Sequence, residues 1–267
     1  MLTPLRDGGR CFARVRRLGL GVCQLAGRDP ALATEAVAAT VVREAAAAGV
    51  RVCALWGGLP GPAVWDFREG PTTLGLVPAA YRRERIAALK RWADFARWIG
   101  APAVITHCGF IPENLTDHAY PPVVEAIGEV AAHCAARGVG FWFETGQETP
   151  IVLLRTIARV GAANLGINLD PANLLMYGKG NPLDALEMLG PYVRNVHVKD
   201  GLLPTDGERL GREVPPGAGR VDYPRFLATL QQLGFTGELI IEREIGGAAQ
   251  ARDIRRTIGD LRGWLAG

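Results

Sequence analysis

The sequence is poor in cysteine and has no cysteine spacing typical of a metal site or a disulfide framework. Its five cysteines are an odd number scattered over 267 residues, and no two of them form a C-x-x-C pair. Most lie in or beside apolar runs, where a buried thiol is the ordinary expectation. The composition therefore argues against a zinc ribbon or a disulfide-stapled domain, and it favours a reduced, cytoplasmic protein.

Long apolar runs and a charge imbalance are also missing. No run approaches the ~20 residues that a transmembrane helix needs. Residues 1–17 are basic but interrupted by glycines, so they lack the apolar centre of a signal peptide. The formal net charge is only +3, with 30 basic against 27 acidic residues. We therefore expect neither a nucleic acid nor a membrane as a partner.

What the sequence does contain is a regular alternation of short apolar runs and helix-period segments. Such alternation predicts parallel strands joined by right-handed crossovers. With no linker or repeat in the chain, we expect one domain over residues 1–267. The predicted strands are residues 18–25, 51–56, 103–108, 140–144, 165–170, 193–199 and 238–243.

Both a doubly wound sheet and a (β/α)₈ barrel fit this alternation. A dinucleotide-binding sheet should carry G-x-G-x-x-G after its first strand. The Gly19-Leu20-Gly21 segment lacks the third glycine, so the dinucleotide interpretation is weak. Two long irregular stretches, residues 57–77 and 201–220, follow strand ends, where barrels elaborate their active-site loops.

Proline and glycine positions predict where the helices begin and end. Asp29-Pro30 and Asn181-Pro182 each place a capping residue before a proline at the first helical position. Glycines stand where a left-handed residue would end a helix, namely Gly100, Gly138, Gly190 and Gly234.

Four successive predicted strands end in a potential metal ligand. Each residue alone has an ordinary explanation as a loop residue, a helix cap or a packed histidine. Together they would converge on one rim, where unpaired charges would repel each other and be costly to desolvate. Three carboxylates and one imidazole suit Mn²⁺ or Mg²⁺, with Co²⁺ as an alternative, and leave open positions for substrate oxygens. The four residues are Glu144, Asp170, His197 and Glu242.

The phrases around these residues resemble the xylose isomerase-like superfamily of TIM barrels, specifically its sugar phosphate isomerase/epimerase family. They are FETGQET at 143–149, NLDPANL at 168–174, VHVKDG at 196–201 and IIERE at 240–244, with a further familiar loop at 211–222. The resemblance extends from about residue 78 to the C-terminus and is looser before that.

The resemblance implies an α/β fold, a (β/α)₈ TIM barrel, and a divalent metal held by Glu144, Asp170, His197 and Glu242. It also implies that Glu144 and Glu242 are catalytic and shuttle a proton through a metal-stabilised enediolate. The expected function is that of an isomerase or epimerase of a ketose or sugar phosphate. Mn²⁺ or Mg²⁺ is favoured as cofactor, with Co²⁺ or Zn²⁺ as alternatives.

Two departures from the family pattern matter. Asn173 stands where many members have a substrate-contacting histidine, so this residue is expected to touch a substrate of different specificity. The family's ligands lie on strands five to eight, whereas the predicted ligand strands are four to seven. A first strand within residues 1–17 is therefore expected to be shortened or missing. An open barrel edge would leave room for a second copy, which keeps a homo-oligomer among the expected partners.

Three further residues are predicted to line the substrate site. His107 ends a strand, Lys199 shares a strand face with His197, and Trp56 could form an apolar wall for a sugar. With Asn173 they complete the predicted substrate-binding set.

Three alternatives use the same fold. A dehydratase of an inosose-like ketone would need the same deprotonation and would then eject a β-hydroxyl. An endonuclease would need a histidine-rich metal cluster and a basic face, which four histidines and a net charge of +3 argue against. A non-catalytic sugar-binding barrel stays open because of Asn173 and the altered N-terminus.

Overall fold

Eight parallel strands form a nearly closed barrel in this computed structural model, which describes residues 1–5 and 10–266. Their order follows the chain, β1-β2-β3-β4-β5-β6-β7-β10, and a separate two-stranded hairpin pairs β8 with β9. The strands are β1 Leu2–Pro4, β2 Val22–Gly27, β3 Arg51–Gly57, β4 Ala103–Thr106, β5 Gly140–Glu144, β6 Leu165–Leu169, β7 Val193–Val198, β8 Asp200–Leu202, β9 Arg212–Val214 and β10 Glu238–Ile241.

Helices connect successive barrel strands, as the alternating sequence pattern predicts. Their apolar faces pack on the strands and form a continuous buried core. The helices are α1 Arg10–Arg17, α2 Glu35–Ala48, α3 Gly70–Thr73, α4 Ala79–Trp98, α5 Tyr120–Ala135, α6 Pro150–Val160, α7 Pro171–Met176, α8 Pro182–Leu189, α9 Tyr223–Gln232 and α10 Gly247–Ala266. Among the described residues, none of these helices combines the length and apolar character needed to cross a bilayer.

The first strand is present but short, so the prediction of a shortened first strand is confirmed. Strand β1 spans three residues and pairs in parallel with β2, Leu2 lying opposite Gln24. In the described part of the chain β1 and β10 are not paired with each other, which leaves the barrel nearly closed. The predicted ligand strands are therefore the fifth to eighth of the barrel.

One predicted helix start is confirmed and another is shifted. The Asn181 side chain accepts a hydrogen bond from the Leu183 N–H at 2.8 Å and begins α8. Asp29 also accepts, from Ala31, but it opens only a short 3₁₀ turn. Helix α2 begins later, because Thr34 caps it.

Gly190 was expected to be left-handed, and this prediction is wrong. Its φ is −45°, because the chain continues directly from α8 into a 3₁₀ turn at Gly190–Tyr192. A Cβ at this position would lie 2.8 Å from a Leu233 methyl group. Close packing is thus what favours glycine there. The other three predicted glycines do have positive φ.

Helix α4 fixes the upper ends of β2 and β3 through one buried tryptophan. Trp92 packs so closely that a Cβ on Gly27 would approach its ring to 2.3 Å, and one on Gly57 would approach it to 2.9 Å. Its indole N–H donates to the Gly58 carbonyl at 2.9 Å. The packing of α4 through Trp92 therefore also sets where the loop after β3 begins.

That loop, residues 57–77, is held by a buried arginine on α4. Arg85 is 1% exposed, and its guanidinium donates to three backbone carbonyls. These belong to Pro60 at 3.0 Å, Pro62 at 2.7 Å and Gly75 at 2.8 Å. Arg85 therefore anchors the loop through main-chain carbonyls, and among the described residues no carboxylate forms an ion pair with it.

The second long stretch forms a hairpin whose return segment is organised by Asp200. This buried carboxylate accepts hydrogen bonds from the backbone N–H groups of Gly201, Gly217, Gly219 and Val221, at 2.8–3.0 Å. A Cβ on Gly219 would lie 2.1 Å from an Asp200 oxygen, so the close approach requires glycine. One side chain therefore shapes the whole loop beside the barrel mouth.

We expect Asp200→Asn to lower the free energy of unfolding by about 2–4 kcal/mol, because bonds to a charged acceptor are lost and buried N–H groups lose their partner. The matched control is Asp206→Asn, which removes an exposed turn carboxylate that accepts from Glu208. We expect the control to lie within about 0.5 kcal/mol of wild type. Urea unfolding measures both, and equal stability of the two variants would contradict the assignment.

Candidate metal centre and active site

Four buried side chains converge at the carboxyl ends of the last four barrel strands. Glu144 ends β5, Asp170 follows β6, His197 lies in β7 and Glu242 follows β10. One ligand atom from each lies within 4.8 Å of the others. The structure thus brings together all four residues that the sequence analysis selected as metal ligands.

His197 Nδ1 lies at the centre of this cluster. It is 3.0 Å from a Glu144 oxygen, 3.4 Å from Asp170 Oδ2 and 2.9 Å from Glu242 Oε2. Nevertheless this nitrogen, Asp170 Oδ2 and Glu242 Oε2 are buried without a hydrogen bond of acceptable geometry. Buried polar atoms that converge without pairing are the arrangement that a cation satisfies.

The other imidazole nitrogen is held from inside the barrel. His197 Nε2 lies 2.7 Å from Gln24 Oε1, and Gln24 Nε2 donates to Asn168 Oδ1 at 2.8 Å. Because the Gln24 amide oxygen faces the imidazole, Nε2 carries a proton. Burial disfavours a second proton on His197, but Glu242 and Glu144 outweigh burial and raise its pKa well above the usual value. A bound cation would displace the Nδ1 proton and use that lone pair, as metal-bound histidines require.

Lys199 lies against the same cluster. Its ammonium is 3.6 Å from Asp170 Oδ2, 3.4 Å from Glu242 Oε2 and 3.2 Å from Glu244 Oε1, and it also donates to Asn173 Oδ1. Burial opposes its charge, but Glu242 and Asp170 outweigh burial and raise the pKa of Lys199 well above its usual value. Lys199 is therefore a fixed positive charge beside Glu242.

The two glutamates are held in the ionised form. Burial favours the neutral acid of Glu242, but Lys199 and His197 prevail and lower its pKa to about 2. Burial acts likewise on Glu144, where His107 and His197 lower the pKa well below its usual range. Both carboxylates are thus present as bases and as oxygen ligands.

Trp56 and His107 contact Glu144 rather than forming an open wall. The Trp56 indole N–H donates to Glu144 Oε2, and His107 Nε2 lies 3.2 Å from the same oxygen. The other Glu144 oxygen, Oε1, faces His197. Both predicted substrate residues are therefore at the site, where they also orient a predicted ligand.

Asn173 lies at the start of α7. Its backbone N–H donates to Asp170 Oδ1 at 2.8 Å, which caps that helix and leaves Oδ2 facing His197. Its side chain receives the Lys199 hydrogen bond at 3.3 Å. Asn173, which the sequence analysis predicted to bind substrate, therefore lies beside the four clustered ligands.

Several polar residues at the site were not predicted as functional. Gln24 lies within a strand of otherwise apolar residues, which was its only sequence signal. Gln147 and Glu148 are buried beside the site, and burial raises the pKa of Glu148 to about 7. Their signal was the polar run that follows Glu144 directly.

The donor set fits a hard divalent cation. Three carboxylates and one imidazole whose Nδ1 faces them match Mg²⁺ or Mn²⁺ chemistry, and no cysteine of the described residues belongs to the cluster. Burial of all four ligands and the Gln24 contact supply the preorganisation that such a site needs. The residues present therefore fit a metal, and they do not select one metal over the other.

Fold and site together define a TIM barrel with a carboxylate–histidine cluster at its catalytic rim. The family model described as "Xylose isomerase-like TIM barrel" matches residues 12–265. The chain belongs to this xylose isomerase-like TIM barrel family.

Solved structures agree with this membership. A xylose isomerase domain protein from Planctomyces limnophilus is 34% identical, with a TM-score of 0.90 over 98% of this chain and 94% of that one. The 3-keto-D-glucoside 4-epimerase of E. coli is 16% identical, with a TM-score of 0.72 over 97% and 95%. A Mycobacterium smegmatis protein of this fold, solved with magnesium, is 19% identical, with a TM-score of 0.71 over 96% and 89%.

Similar folds also include other sugar epimerases and a probable 3-DHS dehydratase. A search of curated proteins found no match. The family of this chain is thus established by the family model and by the 34% identical structure.

Proposed function

We propose that this protein is a divalent-metal-dependent isomerase or epimerase of a ketose. The observation that carries the proposal is the convergence of four buried ligand atoms within 4.8 Å, two of them from ionised glutamates. A cation held by Glu144, Asp170, His197 and Glu242 would supply Lewis acidity at the substrate carbonyl. Mn²⁺ and Mg²⁺ are the expected ions.

The chain's own residues would move the proton. One glutamate, Glu144 or Glu242, removes a proton from the carbon beside the carbonyl. The other returns a proton on the opposite face, which gives epimerisation, or the proton returns at the neighbouring carbon, which gives isomerisation. A positioned base of this kind contributes about 10²–10⁴-fold to the rate.

The surroundings of the two glutamates support these roles. Trp56 and His107 hold one oxygen of Glu144, so its orientation is fixed. Lys199 keeps Glu242 ionised and therefore able to accept a proton. Burial of the cluster excludes bulk water, which strengthens each of these interactions.

The test is elemental analysis of protein purified without chelator, followed by solvent-deuterium exchange into a panel of ketoses with added Mn²⁺ or Mg²⁺. We expect about one divalent ion per chain and deuterium beside the carbonyl of at least one ketose. Loss of water from an inosose-like ketone would instead indicate a dehydratase. Absence of both metal and exchange would favour a non-catalytic sugar-binding barrel and overturn the proposal.

A further inference from the structure

A second group of buried polar side chains lies beside the ligand set and takes no part in it. We call Gln147, Glu148 and Tyr177 the polar cluster. Both amide atoms of Gln147, one Glu148 oxygen and the Tyr177 hydroxyl are buried without a hydrogen bond of acceptable geometry. Burial raises the pKa of Tyr177 to about 12, and the nearby Gln147 side chain opposes this only in part. Each of the three residues is at most 5% exposed. Buried polar groups are normally paired, so their partners are to be sought in a ligand.

The polar cluster adjoins the reaction centre. Gln147 and Glu148 follow Glu144 in the loop after β5, and Tyr177 ends α7, the helix that Asp170 caps. A Cβ on Gly146 would lie 3.4 Å from His107 Nδ1, which is also unpartnered. Glycine at this position thus brings the main chain of the loop close to His107 and Asn173, two of the predicted substrate residues.

Aromatic rings line the same region. Phe67 and Phe110 pack edge-on against Tyr177, with ring centroids 6.2 and 5.9 Å away. Trp65 packs against His107 at 5.0 Å and is 44% exposed. Ring faces beside a few polar groups are typical of sites for small polar organic ligands.

The charges disfavour an anion. The polar cluster contains a carboxyl group, Glu148, and none of the described residues forms an ion pair with it. The nearby cations are engaged elsewhere, since Lys199 contacts three carboxylates and Lys179 pairs with Glu113 at 3.4 Å. A phosphate group here would meet the Glu148 carboxyl group, and the neighbouring base with an unpartnered atom is the His107 imidazole, whose Nε2 already faces Glu144.

We propose that the polar cluster binds hydroxyl groups of the substrate chain beyond the reacting carbons, and that it selects an uncharged polyhydroxy substrate over a terminally phosphorylated one. The Gln147 amide and the Tyr177 phenol can each donate and accept hydrogen bonds, and the Glu148 carboxylate accepts them. A sugar hydroxyl both donates and accepts, so it can pair with all three groups. This inference rests on the proposed function for the identity of the reacting end. It deepens that function by naming the substrate class.

The first test compares variants of the polar cluster on a long and a short ketose. Gln147→Leu and Tyr177→Phe are assayed by deuterium exchange with a hexulose, D-fructose, and with a tetrulose, erythrulose, which lacks the distal hydroxyls. We expect the hexulose-to-tetrulose ratio of kcat/KM to fall about tenfold, mainly through KM. The control is Tyr192→Phe, in the turn before β7. An unchanged ratio in both cluster variants would show a structural role and overturn the proposal.

The second test concerns charge. At a pH above the Glu148 pKa of about 7, we expect wild type to prefer D-fructose over its 6-phosphate. We expect Glu148→Gln to narrow that preference by at least about threefold, because a carboxylate becomes a neutral amide. A wild-type preference for the phosphate ester would overturn the proposal.

Binding keeps this inference separate from the proposed function. In calorimetric titrations with MnCl₂ present, D-glucitol should bind more tightly than its 6-phosphate, and Gln147→Leu should weaken that binding about tenfold. If no ketose is turned over, the proposed function fails. The binding measurement still tests whether the polar cluster binds hydroxyl groups. Equal binding of both polyols, or equal binding by wild type and Gln147→Leu, would contradict the polar cluster's role.

Discussion

Replacing Glu242 by glutamine should reduce solvent-deuterium exchange into the substrate by about 10²–10⁴-fold, the range that a positioned general base supplies. An amide cannot accept the proton, although it occupies nearly the same volume and keeps one oxygen toward His197. Because Glu242 is also a predicted metal ligand, the assay is run at saturating Mn²⁺ with bound metal measured in parallel. Lost exchange with metal retained then reports on the proton transfer.

The chain offers a matched control two residues away. Glu244 also contacts Lys199, at 3.2 Å, but its side chain is 59% exposed and it is not among the four clustered ligands. Exchange in Glu244→Gln should stay within about tenfold of wild type, since Lys199 keeps its contacts with Asp170 and Glu242 and the Glu244 carboxylate is exposed to solvent. Wild-type exchange rates in metal-loaded Glu242→Gln would refute the role of Glu242 as a base.

Replacing His197 by alanine should weaken Mn²⁺ binding by more than about 100-fold. Removing a residue that only hydrogen-bonds to a metal ligand already lowers metal affinity about 10–100-fold, and loss of the ligand itself should cost more. The imidazole supplies the only nitrogen of the cluster, and the three carboxylates would be left without the central group that they surround. Equilibrium dialysis against Mn²⁺, followed by elemental analysis, measures the change. The control is His133→Ala, which removes a histidine that contacts Asp94 on the helical layer.

Gln24→Leu should weaken Mn²⁺ binding less than His197→Ala does. It removes the acceptor that fixes the His197 tautomer while leaving all four ligands in place, so Mn²⁺ affinity should fall about 10–100-fold. Equal affinity in wild type and His197→Ala would show that the ion binds elsewhere. Equal affinity in wild type and Gln24→Leu would show that the tautomer is set by another contact.

The predicted ligands came together because they share one simple property. Glu144, Asp170, His197 and Glu242 each stand at the carboxyl end of a parallel strand, and in a barrel those ends meet on one rim. Strand direction and chain order are enough to predict that convergence. The alternation of apolar runs and capped helices predicted parallel strands, and the resemblance carried by the strand-end phrases favoured a barrel over a doubly wound sheet.

Other features could not be predicted because their cause is not local. A strand of three residues, such as β1, carries too little periodicity to be distinguished from a loop. The role of Gln24 depends on facing a histidine 173 positions later in the chain. Gly190 was misassigned because a left-handed turn and close packing against Leu233 both favour glycine.

The arginine clamp on the loop after β3 has a consequence for engineering. Arg85 holds that loop only by backbone carbonyls, which every amino acid possesses. Side chains between the anchoring positions can therefore be randomised without removing the attachment. Residues 63–69 carry Trp65 and Phe67 beside the site and form a natural cassette for combinatorial libraries aimed at new sugars. Asp66 should be kept, because its carboxylate accepts from three backbone N–H groups of the loop.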